Sequence, residues 1–118
     1  DEAGLCIREN ELVIAHAREL GWKLGEAVGL TYRADLLGSR GAYDAAFDAA
    51  GAMMRLAAEL NHDGWTGSAH VIRGWLAFDL LDLRAAIEQF RQAFEHTERS
   101  GSQYLHQRAA AFLASSLV

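Results

Sequence analysis

The feature that most constrains this chain is a stripe of apolar and small side chains that recurs at an offset of 40 residues. Leu83, Ala86, Ile87, Phe90, Ala93 and Phe94 follow the i, i+3, i+4, i+7 spacing of one helical face. Forty residues earlier stand Tyr43, Ala46, Phe47, Ala50, Met53 and Met54, and 40 before those stand Ala3, Cys6, Ile7, Asn10, Val13 and Ile14. Seventeen of these eighteen positions are apolar or small, Asn10 being the exception. Arg84, Glu88, Gln89, Arg91, Gln92, Glu95 and His96 keep the opposite face of the last copy polar. A helix dry on one side and wet on the other must be covered by a neighbour, and a stripe preserved at a fixed offset implies stacked units that cannot bury their apolar faces alone.

The residue types agree. Leu and Ala supply much of the 51% hydrophobic content, Pro is absent, and Val, Ile and Thr are sparse, which favours helix over sheet. The pattern predicts helices over about 2–20, 24–37, 42–60, 66–80 and 83–98, with a sixth beginning near Gln103. Gly21, the run Gly38 to Gly41, the run Asn61 to Gly64, and Ser100-Gly101-Ser102 supply the breaks. The helix over 66–80 has apolar residues on two sides, Ile72, Leu76 and Leu80 on one and Val71, Trp75 and Phe78 on the other, and so reads as the inner member of a pair. The expected architecture is an all-α domain over 1–118: antiparallel helix pairs stacked as a superhelix, with a partial unit over 1–20, units over 24–61 and 64–100, and a partial unit over 103–118. The opening DEAG and the closing apolar run AAAFLASSLV read as cuts in a longer protein.

A net charge of −5 gives no general field for a phosphate backbone, so no nucleic-acid contact is expected. The longest apolar runs fall well short of the roughly 18 to 20 residues that span a bilayer, and no signal sequence is visible. Cys6, the single cysteine, lies on the expected buried stripe as a small hydrophobe, in keeping with a cytoplasmic protein.

The units resemble the tetratricopeptide repeat, a helix pair with small residues where its helices cross and aromatics between them. Gly74, Ala86, Phe90 and Ala93 match that pattern in one unit, and Ala34, Gly41, Tyr43, Ala46 and Met53 match it more loosely in another. The period is 40 rather than about 34, Arg33 and Arg73 stand where the family usually has leucine, and Ala58 and Glu98 replace its helix-ending proline. Longer units of this kind, joined by phrases such as ARELGWKLGEA and AAELNHDG, are similar to the repeat arrays of large bacterial regulators of the LuxR and STAND type. There the arrays follow a nucleotide-binding switch domain and often precede a DNA-binding domain. The resemblance implies a concave groove lined by the inner helices. The groove positions it implies are Thr31 and Asp35 in one unit, Ser68, Val71, Trp75 and Asp79 in the next, and Arg108 and Ser115 in the last.

No constellation of catalytic residues is recognisable. His62 and Asp63 precede His70 by eight and seven residues rather than the three or four that would align ligands on a helix, so no metal site is expected, and neither is a cofactor. Cys6 and His16 lie on different faces of one helix and form no nucleophile pair. Gly21, Gly25 and Gly29 lack the Lys and Ser/Thr of a phosphate loop and read as helix-packing positions or a hinge. Trp75 replaces Asp35 at one repeat position, so it either lines the groove or fills a gap between inner helices. Only Arg108 offers a cation there, which disfavours a receptor that clamps peptide carboxylates.

The expected function is therefore non-catalytic: binding of a protein, peptide or small effector, as the sensor or interaction segment of a bacterial signalling or transcription-regulating protein. A constitutive adaptor or a self-association scaffold is the alternative, because open repeat ends expose stripes such as Cys6, Ile7 and Val13 at one end and Phe112, Leu113 and Leu117 at the other. A helical accessory domain of an enzyme is a third reading.

Overall fold

The computed structural model describes residues 2–117, the side chain of Ala3 excepted, and is built from six helices. They are α1 (Glu2–Glu19), α2 (Lys23–Ser39), α3 (Tyr43–Glu59), α4 (Asp63–Asp79), α5 (Leu83–Ser100) and α6 (Gln103–Leu117). The all-α class holds, and no strand occurs among the described residues.

Each helix packs on the next, because the linkers are too short for anything else. Every junction contains one residue in the left-handed region: Gly21, Gly41, Asn61, Leu81 and Gly101, evenly spaced by half the repeat period. Three are glycine, which pays no Cβ penalty there. Asp82 caps α5 by accepting from the Ala85 amide at 3.1 Å, and the His62 Nδ1 caps α4 by accepting from the Trp65 amide at 3.0 Å. That second cap starts α4 at Asp63, three residues before the expected Thr66. Gly64 is a buried residue of the first turn, beside Leu105, rather than part of a loop.

Beyond consecutive helices, α2 approaches α4 and α4 approaches α6, whereas among the described residues the backbones of α1, α3 and α5 stay apart from one another. The row is therefore drawn together along its inner helices and curves toward them. Its smallest extent is 19 Å, the thickness of two helix layers at about 10 Å each.

One core cluster contains Ile14, Leu30, Met53, Leu56, Ile72 and Leu76 across α1 to α4, and another gathers Ala77, Ala86 and Phe90 with Phe112 and Leu113 against them. Small residues set the spacing. A Cβ on Gly74 would stand 2.5 Å from Phe90 Cε1, and one on Gly29 would stand 2.6 Å from Ile14 Cγ1, so both are sites of close helix approach. Asn10, the exception in the stripe, is buried; its Nδ2 donates to the Gly29 carbonyl at 2.9 Å, while its Oδ1 has no partner among the described residues.

The first copy of the stripe departs from expectation. Cys6 is exposed and Val13 is 53% exposed, although their counterparts Ala46, Ala86, Met53 and Ala93 are fully buried. The reason is local: α1 packs only on α2, so the side carrying Cys6 and Val13 has no neighbour among the described residues. No described helix is long and apolar enough to cross a membrane.

Candidate functional site

The curvature brings the inner helices α2, α4 and α6 to one concave side. There Asp35 of α2, Trp75 and Asp79 of α4 and Arg108 of α6 line a single open pocket of about 290 Å³. Ala34, Gly38, Ile72 and Leu76 give it an apolar floor. The floor is low at Gly38 because Leu76 lies where a side chain would go, 2.8 Å from a Cβ at that position.

Trp75 combines both roles considered for it. Its indole is edge-on to Phe112 at 5.0 Å, Phe78 at 5.9 Å and Phe90 at 6.5 Å, which fixes the ring, and 42% of the residue is still exposed at the pocket wall. Arg108 lies over the Phe112 ring at 5.6 Å from its centroid. Partial burial pushes the Asp35 carboxyl above its ordinary range, and the charge of Arg108 draws it part of the way back. Asp35, Asp79 and Arg108 make no ion pair or side-chain hydrogen bond among the described residues.

The remaining expected groove positions separate. Thr31 spends its hydroxyl on the Ala27 carbonyl at 2.9 Å and lies 3.2 Å from Met53 Sδ. Val71 is not a groove residue: it is 4% exposed and packs in the core with Ala93 and Ala109, because this side of α4 is covered by α5 and α6. Ser68 is half-buried on α4 and lines none of the pockets described here. Ser115 is exposed and borders a small aromatic recess with Trp75 and Phe112, its hydroxyl donating to the Ala111 carbonyl at 2.9 Å. Ser39 lines the main pocket and is an addition; it occupies the repeat position of Asp79, which was the signal for it.

The convex side holds a larger cleft of about 420 Å³ between α1, α2 and α3. Two of its charged pairs are formed internally, Arg33 with Glu11 at 3.2 Å and Arg18 with Glu26 at 3.0 Å, while Asp48 lines it with no ion pair among the described residues.

A polar cluster joins α4 to α5. Asp63 meets His96 at 3.0 Å and Arg99 at 3.6 Å, and the hydrogen bond from His96, with the nearby Arg99 charge, holds the Asp63 carboxyl below its ordinary range. His70 is buried, bonds through Nδ1 to Gln89 Oε1 at 2.7 Å, and stacks on His96 at 5.4 Å. No three His, Cys, Asp or Glu side chains among the described residues are placed to hold a metal ion. Compared with known proteins, the chain matches no family model and no curated protein.

Proposed function

We propose that this chain is a recognition module of the tetratricopeptide-like kind, which binds a peptide or a protein segment in its concave groove. The observation that carries the reading is the convergence of Asp35, Trp75, Asp79 and Arg108, from three different helices, on one pocket with an apolar floor. An aromatic ring held by its neighbours loses little freedom on binding, and polar groups not matched to each other are available to a partner. The convex cleft is larger, but both of its arginines are engaged by Glu26 and Glu11 and no aromatic ring lines it, so it ranks second. In a longer bacterial regulator, occupancy of the groove would act as the sensed signal.

The test is selection of peptides from a displayed random library on the wild-type chain, followed by affinity measurement on variants. Trp75→Ala and Arg108→Ala are expected to weaken the selected peptides at least tenfold, and Arg18→Ala on the convex side to leave them unchanged. Peptides insensitive to both groove variants would remove the groove from consideration.

A second reading, self-association, is favoured by a separate observation: Cys6 and Val13 are exposed at repeat positions that are fully buried in the other two copies. Sedimentation of the wild type and Val13→Glu over a hundredfold concentration range tests it, with association expected only in the wild type. Identical monomeric behaviour of both would end this reading.

A further inference from the structure

We infer that the partner presents a lysine or arginine side chain, which the groove takes up between Asp35 and Asp79 against the indole of Trp75. This rests on the groove reading above and adds the chemical class of what enters it.

The pocket has the parts that such a side chain needs. Ile72 and Leu76 on its floor offer apolar surface to an aliphatic stem, and the carboxylates of α2 and α4 stand at its sides for the charged head. The exposed part of the Trp75 ring presents a π-system to the same space, and cations are attracted to an indole within about 6 Å of its centroid. Asp35 is exposed on α2 and makes no ion pair among the described residues, so a bound cation can reach its carboxylate directly. The net charge of −5 adds a longer-range attraction for a basic segment.

Arg108 is the one cation lining the pocket. It lies over Phe112, so its remaining donors can meet a backbone carbonyl of the same peptide. An acidic side chain in the pocket would have to face two carboxylates to reach one guanidinium. An uncharged side chain would leave the pocket's excess of two carboxylates over one guanidinium uncompensated. The repeat positions tie this chemistry to one seam: Asp79 corresponds to Ser39 and Asp35 to Trp75, so the two carboxylates border a common pocket where α2 meets α4.

The probe is a set of blocked pentapeptides, acetyl-Gly-Ser-X-Ser-Gly-amide, with X as arginine, lysine, norleucine or glutamate. Each is titrated into the isotopically labelled chain while the Trp75 indole and Asp79 amide signals are followed. The arginine and lysine peptides are expected to bind at least tenfold more tightly than the norleucine and glutamate peptides. In the doubly substituted Asp35→Asn, Asp79→Asn chain, checked for an unchanged melting curve, that preference is expected to vanish. Equal binding of norleucine, tighter binding of glutamate, or a cation preference that survives the double substitution overturns the inference. Equal shifts at Trp75 with every peptide would do so while leaving the groove reading intact. If no pentapeptide moves Trp75 at millimolar concentration while library-selected peptides do, the cation inference again fails alone. Selected peptides that bind without moving Trp75 would instead defeat the groove reading itself.

Discussion

At the junction of α4 and α5 the backbone passes through Leu81 with φ at 61°, a conformation that costs an L-residue about 1 to 2 kcal/mol. Leu81 is 82% exposed, so its side chain recovers little by packing. The equivalent position one period earlier is Gly41, for which the conformation is free of strain. Leu81→Gly therefore raises stability by about 0.5 to 1 kcal/mol, the relief of strain being partly cancelled by the added freedom of glycine in the unfolded chain. Urea denaturation checks this, and a loss of stability would contradict it. Asn10 teaches the complementary point about what single residues reveal. Its place in an apolar stripe was readable, but its hydrogen bond to the Gly29 carbonyl depends on how closely α1 and α2 approach, which follows from a glycine 19 positions away.

The pairing of α4 with α5 carries both the tightest contact and the most unusual chemistry. Phe90 is 2% exposed and fills the space left by Gly74, whereas Trp75, though in contact with three aromatic rings, stays 42% exposed. Phe90→Ala is expected to cost about 3 to 5 kcal/mol. Trp75→Ala should cost less than half as much, leaving a folded chain with a defective groove; thermal melting with a binding assay separates the two, and equal destabilisation would contradict the assignment.

His70 and Gln89 occupy the repeat positions held by Leu30 and Ala49 in the preceding unit. Burial, with the nearby charges of His96 and Arg73, depresses the His70 pKa below its ordinary 6.5, against the opposing pull of Gln89 and Glu88. A depressed histidine resists a proton that the unfolded chain accepts, so its contribution is present above 6.5 and is lost as the pH falls below that value. The melting temperature is expected to drop more steeply from about pH 7 to about pH 5 in the wild type than in His70→Leu, Gln89→Ala, which copies the earlier unit. Parallel curves would refute it. The turn-like reading of Asn61 to Gly64 hid this region, because Gly64 is a packing residue of α4. The Asp63 and His96 contact spans 33 positions and becomes visible only once α4 lies against α5.

For the molecule as a whole, the stack of helix pairs was legible because the stripe repeats three times. Asp35, Trp75, Asp79 and Arg108 were expected on one side of the stack through the resemblance to tetratricopeptide repeats and not through the stripe itself. Val71 could not be distinguished from them by pattern, since α4 is apolar on two sides and the covering of one side by α5 and α6 is a tertiary fact. Cys6 and Val13 share their stripe with buried counterparts yet remain exposed, because a repeat position fixes a face and not whether a neighbour covers it.

The central claim is that binding happens on the concave side, and its most direct measurement is amide hydrogen exchange across the whole chain with and without a peptide selected on the wild type. Concave binding predicts slowed exchange along α2, α4 and α6, greatest around Asp35, Trp75 and Arg108, with α1 and the outer face of α3 unchanged. Protection centred instead on the cleft bordered by Glu11, Arg18 and Arg33 would contradict it.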